Sequence, residues 1–553
     1  MRRIVLRYHK KAQFSVLELM LGLPVRQSAS VRERATERGK EKQQKKLCEV
    51  FAQKLYLLRR ALLPVVCAAA CFLAVTAHAQ QGLQLPLSAQ DHRQEIASAT
   101  PLSDPASGEY PPVAALLSEP EAYNAYGQFT YIFFRKNAFG AAYTNLNGTP
   151  NSLLPERERS FTTTATAFLG LRAWQGGEFY LAPELIAELP LSGLHGLGGS
   201  VQDGELEKTG ARTSTIYRSR LFLRQTWNLG GESTPVESGP MQLAESVDSR
   251  RFVLTAGNLA VIDIFDKNAY AGDVRQQFLN MNFLTYAAYD FVADARGYTW
   301  GVAGEYYRDD WAVRIGRFIG PRDPNQLQLN YSIMNYYGDQ VEIEHQHSLY
   351  EQPGKVRVLF YRNVANMGRW DDAINAFLLD PSKNATTCTG FNYDSSNATA
   401  PDLCWARKRN AKIGLGVSLE QSVTQDIGAF FRAMKSDGKT EVYAYTSTDS
   451  SMSLGAIMKG ARWGRTQDSV GLGYAQNWLS AQHIAYLNMG GIDGFIGDGR
   501  ISYKPEKAFE AYYKVGVNRH LWLTFDFQHI DNPAYNSDRG PVTMYGVRLH
   551  AEF

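Results

Sequence analysis

The chain has 553 residues, with 58 Lys/Arg against 55 Asp/Glu, and is rich in Gly (47), Tyr (30) and Phe (27). Its mean hydropathy of -0.31 excludes a bundle of membrane-spanning helices, each of which needs about 20 consecutive apolar residues. The formal charge of +3 misleads: 16 basic and 5 acidic side chains precede Gln80, so the remainder carries a net -8, and nucleic-acid binding loses its electrostatic basis.

Residues 1–58 hold 14 Lys/Arg against 5 Asp/Glu and read as a basic leader upstream of the true translation start. Residues 59–79 follow as a secretory signal: Arg59 and Arg60, an apolar run from Ala61 to Ala77, and an Ala77-His78-Ala79 exit with cleavage after Ala79. Residues 80–125 carry scattered Pro and Ser without sustained periodicity and are expected to form a mobile periplasmic segment.

From Tyr126 the text alternates. Leu521, Leu523, Phe525 and Phe527 take one face of a strand while Trp522, Thr524, Asp526 and Gln528 take the other. Strands are expected at 126–136, 161–173, 178–189, 218–229, 251–260, 299–306, 310–318, 338–349, 354–364, 409–420, 425–434, 452–460, 468–477, 506–517, 519–529 and 541–553. Connectors after even-numbered strands are mostly tight, and those after odd-numbered strands are mostly long. The fold class is therefore all-β: a closed antiparallel transmembrane β-barrel of 16 strands over residues 126–553, with short periplasmic turns, long outer loops, an apolar face toward lipid and a polar face toward water. One connector dissents, since 230–250 falls on the periplasmic side and is long. Reading Phe278 to Ala287 as a strand would make the count odd, so 261–298 is expected to be one outer loop with some helix. About 45 residues between signal and first strand are too few for the plug of an energised receptor with its 22-stranded barrel.

Cys388 and Cys404 bracket a Gly/Ser/Asn/Asp-rich segment. In an exported protein this pair is expected to form a disulfide; metal binding is the weaker alternative, because no partners lie nearby at ligand spacing. Neither G-x-S-x-G nor H-E-x-x-H occurs, and neither a cofactor nor a metal is expected. The remaining catalytic alternative is a hydrolase carried on a barrel. His345 and His347 share a parity opposite to Glu342 and Glu344, which separates the obvious titratable candidates.

Several runs resemble the OprB family of carbohydrate-selective porins: FLGLRAWQGGEFYLAPE at Phe168, YRSRLFLRQTW at Tyr217, DIFDKNAYAGDVRQQFLN at Asp263, GYTWGVAGEY at Gly297, LEQSVTQDIGAFFRAMKSDGKTE at Leu419, GGIDGFIGDGRISYKPEKAFEAYYK at Gly490 and DNPAYNSDRGPVTMYGVRLHAEF at Asp531. The resemblance implies an outer-membrane channel of a Gram-negative bacterium that passes sugars and other small solutes passively through a narrowed waist. A general or non-sugar porin, for organic acids or amino acids, is the alternative. The implied partners are sugars as solutes, outer-membrane lipid and lipopolysaccharide, and the barrel assembly machinery, to which the terminal Phe553 also points. Both a monomer and a homotrimer are compatible with the sequence. Asn258 stands where the family pattern leads one to expect Lys.

Parity places Arg220, Phe222, Arg224 and Thr226 on one face, and Tyr180 and Glu184 opposite Phe179, Leu181 and Leu185. The resemblance makes Glu184 the constriction carboxylate and Arg220 its facing arginine, with Arg172 and Arg224 as neighbours in the same ring. In the 261–298 loop, Asp263, Asp266, Asn268 and Arg275 have two readings. They hydrogen-bond one another to fix the loop, or the loop folds into the lumen and narrows it.

Overall fold

The computed structural model describes residues 120–209, 211–382 and 399–553. The expected leader, signal and most of the 80–125 segment lie outside the described residues, as does Cys388; Cys404 takes part in a disulfide. No helix among the described residues is long and apolar enough to cross a membrane, and the spanning elements are strands.

The strands are β1 (Tyr123–Lys136), β2 (Glu158–Trp174), β3 (Gly177–Leu189), β4 (Thr215–Asn228), β5 (Ser233–Val236), β6 (Glu245–Asp248), β7 (Arg250–Leu259), β8 (Thr299–Arg308) and β9 (Trp311–Phe318). They continue as β10 (Tyr337–Leu349), β11 (Gln352–Met367), β12 (Lys408–Ser422), β13 (Ile427–Ser436), β14 (Ser450–Lys459), β15 (Ser469–Trp478), β16 (Glu506–Asn518), β17 (Leu521–Asp531) and β18 (Val542–Glu552). All but β5 and β6 form one closed barrel of antiparallel neighbours, sealed where β1 pairs with β18 from Gln128↔Glu552 to Lys136↔Met544. Sixteen strands close it, and each end lies within three residues of the expectation. β1 starts at Tyr123, so Tyr123 to Ala125 belong to the barrel and not to the lead-in.

Alternation fixes the two faces. Phe525, Val547, Phe509, Leu454 and Leu415 point outward and are exposed, while their sequence neighbours Asp526, Arg548, Glu510, Ser453 and Gly414 point into the lumen. Loops fill much of that lumen, and the main apolar cluster sits inside the barrel, built from Phe278, Phe283, Tyr286 and Tyr289 of one loop against Phe430, Tyr361 and Tyr512 of the wall. Lumen-facing glycines make room: a Cβ at Gly473 would lie 2.7 Å from the Phe283 ring, and one at Gly416 would lie 3.0 Å from the Tyr286 ring. Glycine inside a strand weakens it, so it is placed where another segment comes close.

The dissenting 230–250 connector carries the β5–β6 hairpin. Its return limb enters the lumen at the periplasmic end, where Leu243 is fully buried and its N–H donates to the Tyr180 hydroxyl at 3.1 Å. Gly170 admits it, since a Cβ there would lie 3.3 Å from the Leu243 side chain.

The outer loops pack on one another around a second cluster of Trp370, Leu403, Tyr486, Leu487 and Tyr535. His483, on the helix Ala481–Asn488, lies stacked on Trp370 at 4.0 Å between Asp449 at 3.0 Å and Asp493 at 3.2 Å. Burial opposes protonation, but Asp449 and then Asp493 outweigh it and hold His483 up at about 9. A free histidine titrates near ~6.5, so this clamp stabilises fully below that pH and is lost as pH rises through about 9. Amide exchange in 481–488 is expected to accelerate above pH 9, after correction for the intrinsic rate, in the native protein and not in His483→Gln. Equal pH profiles for both would remove the clamp.

Candidate functional site

The site begins at a fault in alternation. The β3–β4 register slips between Ala182 and Pro183, leaving Ser219 as an extra residue whose hydroxyl donates to the Ala182 carbonyl at 2.8 Å. A bulge of one residue inverts the parity beyond it. Arg220 faces the lumen on one side of the bulge; on the other, Tyr217 does so, opposite Glu184, and Ile216 turns outward. Unbroken alternation would have sent Tyr217 to lipid.

Glu184 is the hub. It accepts hydrogen bonds from Tyr217 at 2.5 Å, Tyr298 at 3.1 Å and Thr166, and pairs with Arg275 at 2.9 Å. Arg275 also holds Glu205 at 2.9 Å. Arg220 grips Asp263 through two bonds of 2.7 Å each, and its guanidinium lies 5.1 Å from the Tyr298 ring. Tyr217 and Tyr298 are 6.0 Å apart, and Arg296 lies 4.6 Å from the Tyr217 ring and 3.3 Å from Glu207. Burial would raise Asp263, but Arg220 reverses this and holds the carboxyl below its usual range. Burial, with Glu188 and Glu184 nearby, pushes the Glu207 carboxyl well above its usual range, against the pull of the Tyr217 hydroxyl and Arg296.

Four of the eight pore candidates, Glu184, Arg220, Asp263 and Arg275, thus come together across β3, β4 and the 260–298 loop. The other four do not. Arg172 pairs with Glu178 at 2.8 Å and with Glu245 of β6 at 3.0 Å, and Arg224 donates to the Met241 carbonyl at 3.0 Å. Both hold the periplasmic connector, about 13 Å or more along the strands from the hub at ~3.3 Å per residue. Tyr180 and Phe222, with rings 5.1 Å apart, are buried under the same connector. Asp266 and Asn268 reach the opposite wall: Asp266 pairs with Arg432 at 2.9 Å, and the Asn268 amide lies 3.5 Å from Ser418.

The 260–298 loop therefore crosses the lumen and is moored on several walls. Glu342 accepts the Asp266 N–H at 2.7 Å, Glu420 the Ala269 N–H at 2.8 Å, and Glu510 those of Leu279 at 2.6 Å and Asn280 at 2.9 Å. Arg548 donates to the carbonyls of Val274 and Gln277 at 2.7 and 2.8 Å. Short helix does occur in it, at Met281–Leu284. The four polar residues do not hydrogen-bond one another as the first reading expected: Asp263 bonds Arg220, Asp266 bonds Arg432, and Arg275 bonds Glu184 and Glu205, contacts that hold the loop within the lumen.

Sequence reasoning missed Tyr217, Tyr298, Glu205, Glu207 and Arg296. Tyr217 hid behind the bulge, and the others sit in loops where no period assigns a face. Gly416 and Gly473 mark walls that the crossing loop approaches, but on strands remote from these five residues, so no sequence signal located them.

His345 and His347 face outward, away from the lumen-facing Glu342 and Glu344, with the His345 ring stacked on Trp311 at 4.3 Å. Asn258 also faces outward, opposite Trp300 and Leu221, and its amide donates to the Thr299 carbonyl at 3.2 Å.

The family model described as the carbohydrate-selective porin, OprB family, matches residues 168–553. No curated protein matches the chain. Among solved structures, the high-pH form of Pseudomonas putida OprB aligns with a TM-score of 0.57 at 15% identity, covering 78% of this chain and 94% of that one. The outer membrane channel DcaP of Acinetobacter baumannii gives a TM-score of 0.40 at 9% identity over 78% of this chain and 97% of that one. At 15% identity, what the first of these shares with the chain is its fold.

Proposed function

Because the chain belongs to the OprB family of carbohydrate-selective porins, we propose that the Glu184, Arg220, Asp263 and Arg275 cluster is the waist through which its sugars pass. The protein is an outer-membrane porin for the passive diffusion of carbohydrates. Our reading adds that it does so without catalysis.

The observation that carries the proposal is the convergence of both wall strands and the crossing loop on Glu184. A sugar pore must exchange hydrogen bonds with hydroxyls while binding each solute weakly enough to release it. Arginines already paired with carboxylates suit this: they offer charge-assisted donors, yet their charge is compensated and does not trap an anion. Tyr217 and Tyr298 add hydroxyls and ring faces to the same cluster.

Glu184→Gln removes one negative charge from the ring, and Arg220→Ala frees Asp263. In planar bilayers the first is expected to shift ion selectivity toward anions and the second toward cations, by roughly twofold in permeability ratio at low salt. Liposome swelling with sugars of graded size should change in the same variants, with amino acids and organic acids as controls. Traces and swelling rates unchanged in both variants would put the waist elsewhere.

A further inference from the structure

A second feature lies on the outside of the barrel and is independent of the waist. Across β9–β13 the outward positions are apolar for most of their length: Ile315, Val341, Phe360 and Leu415 are each exposed. Toward the outer ends of the same strands the outward positions include Arg317, Asp339, Arg362 and Lys435, with Lys435 directly opposite Leu415, and Arg409 stands four residues further out than Ile413, the partner of Arg362. A cation facing lipid costs about 2–4 kcal/mol at the bilayer midplane and little near an interface, so this row marks the headgroup level of the outer leaflet.

Asp339 is the one carboxylate on the outward face of β9–β13, and it is already taken. It binds Arg317 through two bonds of 2.7 and 2.8 Å, and the Tyr337 ring lies 4.0 Å from the same guanidinium. Asp339 is also directly opposite Arg362 in the ladder, which places Arg317 and Arg362 two strands apart, about 10 Å at the usual ~4.8 Å spacing. Among the described residues Arg362 and Lys435 have no ion-pair partner, and Arg409 donates only to the Asn335 carbonyl at 3.0 Å. The row holds three more positive charges than negative ones.

We propose that this face seats a lipopolysaccharide molecule, with the phosphates of its lipid A held by Arg362 and Lys435 and its acyl chains on the apolar band beneath. Arg409 stands about 13 Å further out than Arg362 along the strands, at ~3.3 Å per residue. The chemistry matches on both counts. Guanidinium groups bind phosphate through paired donors, and the acyl chains need an apolar wall directly below the phosphates. Arg317, fixed by Asp339 and Tyr337, borders the seat and is not its main anion donor.

The full-length protein, stripped of native lipid and placed in nanodiscs, tests this by native mass spectrometry with three probes: bisphosphoryl lipid A, monophosphoryl lipid A and phosphatidylglycerol. Bisphosphoryl lipid A should bind most tightly, and Arg362→Gln with Lys435→Gln should weaken it about tenfold, as expected for the loss of two charge-assisted contacts. Arg308→Gln, an outward arginine at the periplasmic end of β8, should leave binding unchanged. Retention unaltered in the double variant, or phosphatidylglycerol bound as tightly as lipid A, would overturn the assignment. So would burial of this face between copies of the chain in solution. Folding is read from the heat-dependent gel mobility. If the double variant fails to fold, the wild type decides: lipid A binding that does not weaken as salt is raised would equally overturn the proposal, because phosphate contacts are screened.

Discussion

Replacing residues 267–277 by a short glycine-serine bridge is expected to raise single-channel conductance roughly two- to threefold, since current follows the open cross-section of a barrel of this size. The excised segment contains Arg275, which ties the loop to Glu184 and Glu205 at 2.9 Å each. The moorings on either side remain: Asp266 on Arg432, and Leu279 and Asn280 on Glu510. The barrel wall should therefore persist, and only the bridge across the lumen is shortened. Discrimination between small and large sugars in liposome swelling should fall together with the rise in conductance. A pore of unaltered conductance and unaltered discrimination would mean that the loop decorates the lumen and does not narrow it.

The second large effect is expected from Arg432→Ala. Arg432 is 1% exposed and pairs with Asp266; it also donates to the carbonyls of Phe283 at 3.1 Å and Ala271 at 2.9 Å. Removing it strands a buried carboxylate and three carbonyls, the third being that of Asp266 itself at 3.3 Å, and breaking one partner out of a buried ion pair costs about 3–5 kcal/mol. The neighbouring strand pairing is untouched, so the loss should appear first as release of the loop: excess current noise in single channels, then a lowered temperature for the heat-dependent shift in gel mobility. Adding Asp266→Asn should recover part of both, because it removes the orphaned charge. A double variant no better than Arg432→Ala alone would show that the carbonyl contacts, and not the ion pair, moor the loop.

Much of the barrel was legible in the sequence because a strand exposes its period directly. Leu521 to Gln528 and Tyr545 to Phe553 name their lipid and lumen faces without further help. Glu184 and Arg220 were reached by the same parity, aided by resemblance. What alternation does not reveal has physical causes. Arg172 and Arg224 obey the same parity as Arg220, but parity gives a face and not a depth, and only the contacts with Met241 and Glu245 reveal that they serve the periplasmic end. Tyr217 was lost because a single extra residue, Ser219, reverses every later face, and nothing in YRSRLFL announces it. Asp266 was grouped with Asp263 by proximity in sequence, whereas three residues of loop carry them to opposite walls of the lumen, onto Arg432 and Arg220.

The periplasmic connector, with Leu243 tucked under Tyr180, has an electrical consequence. The crossing loop and this inserted limb lie one after the other along the axis, so their resistances add like two resistors in series. Shortening the crossing loop can return only the share of the resistance that sits at the loop. The remainder belongs to the periplasmic mouth, and it sets the ceiling on any gain in current that engineering of the waist alone can achieve.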